Sequence, residues 1–180
     1  MSMKKLQLII ILLVLVACEH NPPNLPDCLT ITSGFTPDNC SDNGSCSYEF
    51  YPDSKLEITE EEGYVSFEVK SGENLVFRFR FHKNDNPIIM DDEYEETILF
   101  EVRPSGNTFL ITRDDLNKDG AIFGRMCFCP DGGYHRIGEG CIYGCKINSR
   151  TWNISLNLTA ISEFSSYNRM KQKDFTRSNY

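Results

Sequence analysis

The chain has 180 residues, 40% of them hydrophobic and 12% aromatic, enough for one domain with a real core. Acidic residues outnumber basic ones by 26 to 18, for a net charge of −8. That balance argues against nucleic acid as a partner and against adhesion to anionic lipid through a basic patch.

The chain opens MSMKK, continues with the eleven apolar-rich residues LQLIIILLVLV, and reaches Ala17 and Cys18. A positive start, a short apolar run and a small residue before a cleavage point are the three parts of a secretory signal. The run is too short to span a bilayer as a helix, which takes about 20 residues. Leu15-Val16-Ala17-Cys18 resembles the lipobox of bacterial lipoproteins: a leucine, two small or aliphatic residues and a cysteine. The resemblance covers residues 1 to 18. It implies that the chain is cut before Cys18 and that the Cys18 thiol carries a diacylglyceryl group. It also implies a bacterial cell-envelope location, held to a membrane by N-terminal lipid on its periplasmic or surface face. The other reading is an ordinary signal peptide cut after Ala17, with Cys18 left for a disulfide; Leu15 then stands where such sites prefer a small residue. EHNPPNLPD, residues 19–27, holds three prolines and reads as a stiff, solvated tether. Loss of Lys4 and Lys5 with the signal takes the net charge from −8 to −10.

The body, residues 28–162, reads as one all-β domain. Ser47–Tyr51 and Lys55–Thr59 are weak strand candidates. YVSFEVK, residues 64–70, alternates cleanly. LVFRFRFH, residues 75–82, alternates best: Leu75, Phe77, Phe79 and Phe81 on one face, Val76, Arg78, Arg80 and His82 on the other. A period of two makes one row of these phenylalanines, whereas helical spacing scatters them. TILFEVR (97–103), TFLIT (108–112), AIFGRMCF (121–128), CIYGCKI (141–147) and WNISLNL (152–158) follow, separated by Gly-, Pro- and Asn-rich turns. This spacing predicts an antiparallel β-sandwich, immunoglobulin-like or jelly-roll-like, pinned by disulfides. Residues 163–180 lose the pattern and read as a polar tail.

Of the eight cysteines, Cys18 is taken by the lipidation reading. Cys40 and Cys46 suit a local bridge, with Cys28 as the odd thiol or as a partner for the distal group. Cys127, Cys129, Cys141 and Cys145 suit two disulfides, as an exported chain favours, more than a four-thiolate zinc site.

Asp115-Leu-Asn117-Lys-Asp119-Gly120 matches the front half of an EF-hand-type calcium loop, so Asp115, Asn117 and Asp119 are candidate Ca²⁺ ligands. The bidentate Glu that should close the loop is Met126. Apart from Ca²⁺ no cofactor is expected. No nucleophile-and-base motif, haem site or phosphate loop is readable, so no catalytic residues are assigned. Arg78 and Arg80 are expected to pair with acids on a neighbouring strand, or to form a ligand-binding face. The sequence therefore points to a membrane-anchored, non-enzymatic binding or structural module for an envelope protein or glycan. A calcium-dependent binding module and a small envelope hydrolase are the alternatives.

Overall fold

The computed structural model describes residues 40, 42–85, 88, 93–161 and 166–178, with residues 117, 119 and 166–172 described in backbone alone. The expected signal, lipobox, tether, His20 and Cys28 lie outside the described residues. Among the described residues there are nine strands: β1 (Gly44–Glu61), β2 (Tyr64–Ser71), β3 (Asn74–Lys83), β4 (Glu95–Val102), β5 (Thr108–Ile111), β6 (Ala121–Met126), β7 (Gly133–Asn148), β8 (Thr151–Ile161) and β9 (Ser166–Arg177). All belong to one mixed sheet, ordered β2-β1-β3-β4-β6-β7-β8-β9, with β5 on β7. The sheet rolls until β9 meets β1 in a short parallel contact, Glu49 opposite Thr176 and Phe50 opposite Arg177.

The inner face carries the main core. Phe77, Phe79, Ile98, Phe100, Phe123, Ile142, Trp152, Ile154 and Phe175 are all buried there. Phe77 touches the rings of Phe50, Phe100, Phe109, Trp152 and Phe175 at centroid distances of 5.0 to 6.0 Å. The alternation in β3 thus does what its spacing predicts.

β1 has two halves. Its first half pairs with β3 from Gly44–Lys83 to Tyr51–Val76, and the register then shifts between Tyr51 and Ser54. Pro52 offers no N–H to the ladder, and Asp53 adopts a left-handed φ of 50°, which aspartate tolerates better than most residues. The chain bends there. Residues 54–61 pair with β2 as a hairpin closed by Glu62 and Gly63, both at positive φ, the geometry of a tight two-residue turn. This hairpin lies back over the outer face of β3, β4 and β6. Leu56, Ile58, Val65, Phe67 and Val69 pack with Val76, Leu99 and Ile122 as a second, smaller core. Glu101 of β4 fastens the bend: its carboxylate accepts hydrogen bonds from the Leu56 backbone N–H and from Asn74 Nδ2.

The chain enters β1 beside the end of β3, where the Asn84 N–H donates to the Asn43 carbonyl at 2.7 Å. Residues 166–177 are not a tail. They form β9, paired with β8 along eleven positions, and Phe175, 1% exposed, anchors their otherwise polar end. An edge strand needs few apolar residues, which is why the pattern did not register. Residues 113–120, which contain the calcium-loop match, make one α-helical turn and a wider turn.

Glu101→Ala leaves the Leu56 N–H without its acceptor. We expect a loss of about 1–3 kcal/mol in urea denaturation, against less than about 0.5 kcal/mol for Glu68→Ala at an exposed hairpin position.

Candidate functional site

The β1–β2 hairpin covers only part of the outer face. Toward the end where the chain enters, two cross-strand rows stay open. Arg80, Thr97, Gly124 and Tyr134 are successive register partners across β3, β4, β6 and β7. His82, Glu95 and Met126 form the next row. Between them and the β6–β7 turn lies a cleft of about 560 Å³.

Gly124 shapes its floor. A Cβ at that position would stand 2.3 Å from Tyr134 Cε1, so the missing side chain lets the Tyr134 ring lie across β6. The same ring meets Phe67 of the hairpin edge-on at 4.9 Å. Burial, then the nearby Glu95 charge, pushes the Tyr134 phenol above its usual value. Glu95 is held by an ion pair with Arg80 and accepts a hydrogen bond from Thr97 Oγ1 at 3.2 Å. That pairing raises the Arg80 guanidinium above its ordinary value. His82 Nδ1 stands 4.0 Å from the same carboxylate, and His82 Nε2 stands 4.0 Å from Asp85. Glu93 and Tyr94 complete that side. At the rim Met126 is 52% exposed and Phe128 is 90% exposed. The cleft therefore offers aromatic faces beside a carboxylate and a guanidinium that already neutralise each other.

Behind it, on the inner face, a polar cluster closes the end of the core. Glu96 and Asp131 are buried. Arg125 Nη1 pairs with Asp131 Oδ1 at 3.1 Å, and its guanidinium lies over the Tyr94 ring at 5.2 Å. Tyr94 donates to Glu96, and His135 Nε2 lies 3.2 Å from the Asp131 carbonyl. This cluster positions the β6–β7 turn that carries Phe128. His135 is half-buried.

Both arginines of the β3 outer face find acids on adjacent strands. Arg78 pairs with Glu49, its direct register partner on β1, and Arg80 with Glu95 on β4. Tyr51 covers the Arg78 guanidinium at 5.1 Å.

The cysteines pair differently from the expected two closed groups. Cys40 is bonded to Cys46, as expected. Cys127 is bonded to Cys129. Cys141 and Cys145 are not bonded to each other. Four residues of extended β7 hold their Cα atoms about 13 Å apart, beyond the reach of a disulfide. Oxidised sulfur leaves no four-thiolate zinc site here.

In the calcium-like loop, the Asp115 carboxylate turns back on Thr112, accepting from its N–H at 2.9 Å and its Oγ1 at 2.8 Å. These bonds, helped by Lys118, hold the carboxyl below its usual value. The Asn117 and Asp119 side chains lie outside the described residues. Among the described residues no three His, Cys, Asp or Glu side chains gather as a metal site.

Sequence reasoning picked out Arg80 and His82 as one face. It did not find Glu95, Tyr134 or Gly124, which come together through cross-strand register, or Phe128, which the β6–β7 turn carries to the cleft. A phenylalanine between two cysteines, C-F-C, was the available clue. Comparison with protein-family models, curated proteins and solved structures finds no match to this chain.

Burial acts to raise the Glu49 carboxyl, but hydrogen bonds from Tyr51 and Arg78 outweigh it and set the group below its ordinary 4.5. Its stabilising contribution is thus present above that value and lost as pH falls through the depressed one. We expect stability measured by denaturant between about pH 6 and pH 3 to fall more steeply in the wild type than in Glu49→Gln.

Proposed function

We propose that the chain is a lipid-anchored cell-envelope protein whose β-domain binds an uncharged, partly apolar ligand, an envelope glycan, without chemical turnover. The observation that carries this reading is the cleft: an exposed Phe128 and a half-buried Tyr134 flank an ion pair that is already internally neutral. Sugar rings stack on aromatic faces through their C–H groups, and their hydroxyls suit fixed carboxylate and guanidinium partners. Glu95 spends its lone pairs on Arg80 and Thr97, which favours positioning over proton transfer. The contacts of Phe77 with Trp152 and Phe175 support reading the rolled sheet as a sandwich-like scaffold, with β3 and β4 facing β8 and β9.

Isothermal titration with neutral oligosaccharides tests the binding. A saturable ligand is expected, and Phe128→Ala should weaken it several-fold to tenfold, in line with about 0.5–1.5 kcal/mol for an aromatic contact. Binding untouched by Phe128→Ala removes the cleft from the proposal, and cleavage of the sugars turns it toward a hydrolase.

The anchor is tested by non-reducing peptide mass spectrometry of the protein from its host. A terminal peptide that begins at Cys18 with a lipid-sized mass increment is expected. A peptide joined through Cys18 to the β7 peptide of Cys141 or Cys145 overturns it.

A further inference from the structure

The two disulfides with both partners described differ in what they do for the fold. Cys40–Cys46 spans a sequence separation of 6, and Cys127–Cys129 a separation of 2. Cross-linking residues so close together removes little freedom from the unfolded chain, so the second bond adds little stability. The turn around it is held by other means. The Gly132 N–H donates to the Cys129 carbonyl at 3.2 Å, and Arg125 grips Asp131 at 3.1 Å. Both cysteines are half-buried, and the residue between them is 90% exposed. Cys127 and Phe128 line the cleft. A bond that the fold does not need, placed at a binding cleft, is suited to exchange rather than to support.

We infer that Cys127–Cys129 is a thiol-exchange site that controls the wall of the cleft. An external thiolate attacks one of the two sulfurs, the S–S bond breaks, and its electron pair leaves on the other sulfur, which takes a proton from solvent. A second thiol of the donor attacks the mixed disulfide and releases the donor as its own disulfide. Two electrons pass from the donor thiols to the cysteine pair. Opening the ring removes the cross-link between the two neighbours of Phe128 in the cleft wall. The control of ligand binding rests on the proposed binding site, whereas the exchange needs no ligand and stands or falls separately.

The purified chain is equilibrated in glutathione buffers of graded ratio, its free thiols are alkylated, and peptides are quantified by mass spectrometry. Cys127 and Cys129 should be half reduced at a glutathione ratio at least roughly tenfold more oxidising than Cys40 and Cys46 require, with the far-ultraviolet dichroism unchanged. Cys127→Ser with Cys129→Ser should keep the wild-type spectrum and melting temperature. Faster reduction by catalytic thioredoxin than by glutathione identifies a protein dithiol as donor, and equal rates identify a small thiol. Reduction together with Cys40–Cys46, reduction only as the dichroism collapses, or a peptide map that joins Cys127 and Cys129 to other cysteines overturns the inference.

Discussion

The burial of Phe77 is the contact on which the rest of the sheet is organised. Its ring meets aromatic rings from β1, β4, β5, β8 and β9, strands far apart in the chain. A flat sheet cannot bring those five rings together. Once they are together, the sheet has to roll, and the polar side chains of β3 have to point outward. Truncating such a ring costs about 3–5 kcal/mol in other cores, a large part of the stability of a domain this size.

The outer face is then divided by a single bend. Pro52 and Asp53 turn the second half of β1 back over the sheet, where it shields Val76, Leu99 and Ile122. The cover stops short of Arg80, His82 and Glu95. The cleft is therefore the part of the sheet's outer face that the hairpin leaves open. Gly124 supplies its floor by having no side chain, and the buried Arg125–Asp131 pair holds its rim. The ion pairs that line it are partly exposed, so their worth to stability is small; their value is in fixed direction.

Much of the fold was legible where two signals agreed. β3, β4, β6 and β8 combine period-two alternation with flanking turn residues, and each appears close to its expected position. β9 was not legible because its sequence around Phe175 is mostly polar. β1 was read as two weak segments because Pro52 breaks the pattern at the point where the strand bends. The cysteine arithmetic missed β7: Cys141 and Cys145 looked like members of a local cluster, but an extended strand separates them. The cleft was half legible. Alternation put Arg80 and His82 on one face, yet which residues lie beside them depends on the order of strands in the sheet, and single-sequence periodicity carries no information about that order.

The entry of the chain beside Lys83 puts the start of the domain and the cleft at the same end of the sheet. On the proposed anchor, 21 residues lie between Cys18 and Cys40, a leash of at most about 75 Å when fully extended. A domain held this way would sample ligands lying in the layer next to its own membrane, at a local concentration set by the leash.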